Sequence, residues 1–303
     1  MAEVVAEEEA RGLPLLSDGE FRRRGPRPGD LGTGPDTSPE LDTPSDPDTS
    51  PVDEYDFASR LTHRPVKVAI PAPDRVTRAA FSSPEPTHSS LEAALTRTVS
   101  DERRCIDELV DAGCRYVQID SPFHSPFDTA RQMALLRGFG TDPLAVVAWS
   151  IWASNEVVAG VGSRATTALH ICFSRRTTPG GTPAVTPDDP TVERLFADLR
   201  HDRLLVDCER GHGFAWLQAV PPGKTVVLGL VPTRPGTTET VDDLLRRIDE
   251  ASRYLPIEQL AIGPRCGFSA PFETGTVDAA MQWRKLDVCL RTADRVWGAA
   301  VTA

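Results

Sequence analysis

Nowhere in the 303-residue sequence is there a run of about 18 uninterrupted apolar residues, the minimum for a membrane-spanning helix. The opening MAEVVAEEEARG also lacks the basic-then-apolar order of a secretory signal, so a soluble, cytoplasmic protein with no membrane partner is the expectation. No GxGxxG and no GxxxxGK[ST] occurs, which removes the usual phosphate loops of nucleotide-binding open sheets. Residues 29–59 contain no Lys or Arg, while Asp30, Asp36, Glu40, Asp42, Asp46, Asp48, Asp53, Glu54 and Asp56 fall within them. Those nine charges account for most of the net −11 and leave a nearly neutral body. Such a body has no basic stripe to follow a phosphate backbone, so a nucleic-acid partner is excluded.

Six cysteines (Cys105, Cys114, Cys172, Cys208, Cys266 and Cys289) are scattered along the chain without the density of a disulfide framework, and they read as thiols or metal ligands. With 40% hydrophobic residues there is enough apolar material for a large core. The exception is the stretch PRPGDLGTGPDTSPELDTPSDPDTSP, which has almost nothing to bury against its ordering entropy. The expected organisation is therefore residues 1–25 as the start of a barrel, 26–56 as a disordered acidic insert rich in Pro, Asp and Thr, and 57–303 as the remainder of a single barrel domain.

Short β-branched runs at 13–17, 66–70, 116–120, 168–172, 204–209, 226–231 and 260–263 predict strands. Between them lie helical patterns at 91–112, 129–138, 151–161, 190–199, 240–254 and 278–297. Strand and helix in alternation imply parallel strands joined by crossover helices, an α/β fold. Chemically capable groups recur at the strand ends: Asp18 and Glu20, Asp120, His170 and Cys172, Asp207 with Cys208 and Glu209, Arg234, and Cys266. That ring of groups favours a TIM-type (β/α)8 barrel over an open sheet.

In His170-Ile171-Cys172 the imidazole and the thiol share one face of a strand, so both could hold one ion. A carboxylate from the next strand and a later cysteine would complete an N/O/S set of the kind zinc takes. Residues 205, 207 and 209 share a face and Cys208 points the other way, which ranks the two acids above that thiol.

At this point the chain resembles the catalytic C-terminal barrel of the cobalamin-independent methionine synthase family and the single-domain proteins similar to it. The likeness is carried by LPLLSDGEFRR (13–23), RPVKVAIPAP (64–73), DAGCRYVQIDSP (111–122), LHICFS (169–174), ERGHGF (209–214), the long block 226–268 ending in PRCGF, and WRKLDVCLRTADRVWG (283–298). The resemblance implies a barrel of the methionine synthase and uroporphyrinogen decarboxylase-like kind. It also implies a Zn2+ ion held by His170, Cys172, Glu209 and Cys266, with Asp207 as the alternative carboxylate. Substrate-binding residues would be Asp18, Glu20, Asp120 and Arg234, and catalytic residues Asp120 and His212.

The implied activity is zinc-dependent alkyl transfer, methyl in the family, from a small-molecule donor to a small-molecule thiol. Departures from the family pattern are Ser121, where the family has a Glu after the pocket Asp, and Thr233-Arg234, where it has a His after the strand. They keep open thiol transfer to an epoxide, or a non-catalytic partner subunit of a complete barrel. Relatives begin with one more strand than can be counted here, so the expectation includes a barrel lacking its first strand and a homo- or hetero-oligomer that completes it.

Overall fold

Alternation of valine and isoleucine with smaller or polar residues makes the simplest strand in the chain, β2 (Val66–Pro71), where Val66, Val68 and Ile70 are buried on one face and Lys67 and Ala69 lie on the other. The structure is a computed structural model that describes residues 1–17, 19, 50–73, 88–121, 143–171, 195–208, 213–236, 239–268 and 277–298. The chain divides into two compact units, Met1–Phe123 with Ala148–Ala168, and His124–Val147 with Leu169–Ala303.

In the first unit, helix α1 (Ala2–Ala10) precedes strand β1 (Leu16–Ser17). The carboxylate of Glu8 accepts the Ser17 N–H at 3.0 Å and ties the two together. Strand β1 is shorter than the 13–17 expected, because Pro14 has no N–H to give a ladder and pairing begins only where Leu16 meets Val66. Strand β2 runs parallel to β3 (Tyr116–Ser121), with Lys67 opposite Tyr116 and Pro71 opposite Asp120.

The crossover helix α3 (His88–Asp111) buries Leu95, Val99, Glu102, Ile106, Leu109 and Val110, a spacing of three and four that keeps one face on the core. It ends in a Schellman turn: Gly113 sits at φ +103°, its N–H meets the Val110 carbonyl, and the Cys114 N–H meets that of Leu109.

Residues 51–56 correct the expected insert. They open helix α2 (Pro51–Ser59), in which Glu54, Tyr55 and Ala58 are buried. The Ser50 side chain accepts the Asp53 N–H while the Asp53 carboxylate accepts the Ser50 N–H, and Pro51 occupies the first turn, so a complete start signal lies inside an otherwise acidic window. The rest of the insert lies outside the described residues.

Helix α4 (Pro143–Val157) also departs from expectation, beginning eight residues before the predicted 151. Its sequence PLAVVAWSIW is apolar all round and shows no periodicity to read. It stops short of 161 because Gly160 turns at φ +90°. Strand β4 is Thr166–Ile171, and its first residues pair with the start of β3 through Thr166 N–H to Arg115 O at 2.9 Å.

The second unit holds β5 (Arg203–Asp207), β6 (Thr225–Val231) and β7 (Leu260–Pro264), parallel and adjacent in that order. Helix α5 (Val241–Ala251) starts on a second capping box, Thr240 with Asp243, and buries Leu244, Ile248 and Ala251. Helix α6 (Ala279–Trp297) starts where Asp278 accepts the Met281 N–H at 2.6 Å, and it packs on β7 and α5. Residues 195–198 are helical, and the predicted helix at 129–138 lies outside the described residues.

Seven strands are thus described, neighbours in the sheet being neighbours in sequence, and the expected parallel α/β pattern is present. No helix among the described residues is long and apolar enough to cross a membrane.

Candidate active site

Within each unit the described candidate residues lie at or just beyond the C-terminal ends of their strands, where parallel α/β folds place their chemistry. In the first unit Asp120 is the penultimate residue of β3, with its face shared by Gln118 and, across the ladder, by Lys67. Lys67 Nζ donates to Gln118 Oε1 at 3.0 Å, and Gln118 Nε2 donates to Asp120 Oδ1 at 2.6 Å. The buried Gln118 amide thus links the Lys67 ammonium to the Asp120 carboxylate and ties that carboxylate to the strand face. Ser121, which follows it, is fully buried. Neither Lys67 nor Gln118 was singled out from sequence; the Gln-x-Asp spacing within a strand was the available signal.

In the second unit His170 is the penultimate residue of β4 and is almost completely buried. Asp207 is the last residue of β5, the strand next to β4. Arg234 is exposed just beyond β6, and Cys266 is half-buried just beyond β7. Among the described residues Thr233, beside Arg234, is buried with a hydroxyl that has no hydrogen-bond partner. Asp18, Glu20, Cys172, Glu209 and His212 lie outside the described residues.

The expected parity of β5 is present: Leu204 and Val206 are buried with Cys208, while Leu205 and Asp207 take the other face. Burial, reinforced by the nearby Asp207 charge, pushes the Cys208 thiol up to about 12, and its S–H donates to the Val206 carbonyl at 3.2 Å. Buried on the core face of β5 and donating to a backbone carbonyl, that thiol is a protonated core group at neutral pH. Cys114 is likewise buried, its S–H donating to the Tyr116 carbonyl at 3.3 Å, and Cys289 is pushed up to about 12 by burial and Glu239.

Asp207 has a direct partner of its own. Its Oδ1 accepts from Arg265 Nε at 2.6 Å, and both side chains are only 8% exposed. Arg265, the residue before Cys266, escaped the sequence reading because its partner is 58 positions away.

An open hollow of about 510 Å3 lined by Val110, Asp111, Arg115, Ser163 and Arg164 lies at the opposite, N-terminal ends of β3 and β4, where Arg164 is held by Asp107 and Asp111. In barrels of this class those ends serve stability rather than chemistry.

Residues 41–284 match the family described as cobalamin-independent synthase, catalytic domain. The uncharacterised Bacillus subtilis protein YxjG is 33% identical over 202 residues, covering 64% of this chain and 52% of that protein. A methionine synthase of Pyrococcus abyssi is 26% identical over 208 residues, covering 68% of this chain and 51% of that one. The chain thus spans about half the length of the curated relatives it matches. Among solved structures, a candidate vitamin-B12-independent methionine synthase from Listeria monocytogenes superposes with a TM-score of 0.71 at 24% identity, over 98% of this chain and 86% of that one, a likeness of fold. With the catalytic-domain match running through both units, the chain belongs to the cobalamin-independent methionine synthase family of methyltransferases.

Proposed function

We propose that this protein transfers an alkyl group to a small-molecule thiol, with a Zn2+ ion held by His170, Cys172, Glu209 and Cys266. The observation that carries the reading is the family match spanning residues 41–284 together with the positions of His170 and Cys266 at strand ends of the same unit. One imidazole, two thiolates and a carboxylate are the donor types of a tetrahedral zinc site, and the direct engagement of Asp207 by Arg265 favours Glu209 as the carboxylate. Zinc bound by this set would keep an acceptor thiol deprotonated at neutral pH while leaving it nucleophilic.

The remaining roles belong to the chain's own side chains. Asp120, hydrogen-bonded by Gln118, which in turn accepts from Lys67, is the residue assigned to a cationic group of the acceptor, and the family likeness assigns Asp18 and Glu20 to the same task. Arg234, exposed beyond β6, receives an anionic group of a substrate. The acceptor sulfur forms a bond to the donor carbon, and the bond from that carbon to its leaving group breaks with the electron pair departing on the donor. His212 is the group proposed to supply the leaving atom with a proton.

A second reading, thiol addition to an epoxide, is favoured by Thr233-Arg234 in place of the family's histidine. There the ring C–O bond breaks and the alkoxide takes up the proton.

The test is metal analysis of the purified chain. One zinc per chain is expected, with Cys172→Ala and Cys266→Ala each losing it. A protein that neither holds nor takes up zinc would sink the reading and leave the partner-subunit alternative.

A further inference from the structure

Asp207 on β5 and Arg265 after β7 are separated by a whole strand, and they meet because of what β6 lacks at the crossing point. In the ladder Asp207 lies opposite Gly229, and Gly229 opposite Gly263. A methyl group on Gly229 would stand 2.9 Å from the Val206 carbonyl oxygen, 3.0 Å from the Arg265 Cα and 3.3 Å from the Asp207 Cα. The neighbouring backbones close over that vacancy. Just beyond it the register between β6 and β7 shifts between Gly229 and Val231, and the Arg265 N–H donates to the Val231 carbonyl at 2.9 Å. Arg265 is therefore tied to β6 by its backbone and to β5 by its side chain. Cys266 is the next residue.

We infer that Arg265, anchored on Asp207 through the gap at Gly229, is a positioning residue that fixes the backbone carrying Cys266, and that Asp207 serves this anchor and not the metal. The second clause rests on the proposed zinc site; the first stands on the hydrogen bonds alone. The carboxylate and the guanidinium are buried together, and removal of one partner leaves the other without its compensating group. A carboxylate shared with a dication would instead bring Zn2+ and the guanidinium to the same small group, where like charges repel.

The experiment uses Co2+ as the probe, because each thiolate bound to it adds to a charge-transfer band, so loss of Cys266 from the proposed pair with Cys172 lowers the band. Arg265→Gln and Asp207→Asn are each expected to weaken Co2+ binding by on the order of tenfold and to diminish that band, with the double variant no worse than either single one. Arg265→Gln binding Co2+ as tightly as the wild type, with Asp207→Asn abolishing binding, would make Asp207 the ligand and overturn the assignment.

If the single variants do not fold, the apolar pair Asp207→Leu with Arg265→Met removes both charges together, a change that buried ion pairs commonly tolerate. Wild-type metal binding by that pair would overturn the positioning role. If the wild-type chain takes up no metal, the zinc reading fails by itself, and alkylation of Cys266 by iodoacetamide in the metal-free chain decides the anchor. Several-fold faster alkylation in the variants supports it, and an unchanged rate refutes it.

Discussion

Single buried polar groups carry most of what is unusual in this chain. Lys285, on the inner face of α6, is fully buried, and among the described residues its ammonium has no hydrogen-bond partner. Burial pushes it below the ordinary lysine value of 10.5, while the Glu239 charge pulls the other way and Arg234 adds to the lowering. A lysine lowered in the folded state binds its proton more tightly when unfolded, so this group favours unfolding at neutral pH. Its contribution to stability then rises with pH from the lowered value up to about 10.5. Lys285→Met, similar in shape and without the charge, is expected to stabilise the chain at pH 7 by about 1–3 kcal/mol, the cost of an unsatisfied buried polar group. Denaturant melts at pH 7 and near pH 10.5 test this: the variant should lead at pH 7, and the gap should narrow as the pH approaches the ordinary lysine value. A variant less stable at pH 7 would show that the amine has a binding role in the core.

At the scale of elements, the two capping boxes do similar work in different surroundings. Thr240 with Asp243 begins a helix whose periodicity is plain, whereas Ser50 with Asp53 begins α2 inside a stretch that composition alone assigns to disorder. The second case separates two deletions that look alike in sequence. Removal of residues 30–48, which keeps Ser50 and Pro51, is expected to leave the melting temperature within about 1 °C, since that segment has almost no apolar side chain to bury. Ser50→Ala is expected to cost about 1 kcal/mol, the usual worth of an N-cap. Thermal melts of both decide it, and a drop of many degrees on removing 30–48 would mean that the acidic segment packs on the body.

For the whole molecule, the family match and the departures from it point in different directions. Ser121 is fully buried where the family places a second pocket carboxylate, and Thr233-Arg234 stand where it places a histidine. Under the proposed function, one grip on the acceptor's amine and one proton source for the donor are therefore altered. The protein is expected not to form methionine from homocysteine and methyltetrahydrofolate. Product formation at an ordinary turnover, on the order of 1 s−1 or faster, would refute this.

The alternation in VKVAIP and TVVLGLV and the apolar spacing of 88–111 are local patterns, and they marked strands and helices within a few residues of their observed bounds. The residue types at the strand ends, together with the ordered likeness along the chain, point to the family that the catalytic-domain match shows. What remained hidden in the candidate site has one physical origin. Lys67 with Gln118 lies 51 residues apart in sequence, and Arg265 with Asp207 lies 58 apart; each pair exists only because parallel strands in a particular register bring their faces together. The same holds for the glycine at 229, whose missing side chain has meaning only once β5 and the end of β7 approach from either side. Local periodicity therefore marked most of the strands and helices, though not the all-apolar α4 or the capped α2, while the register between strands decided which carboxylate is engaged by a cation.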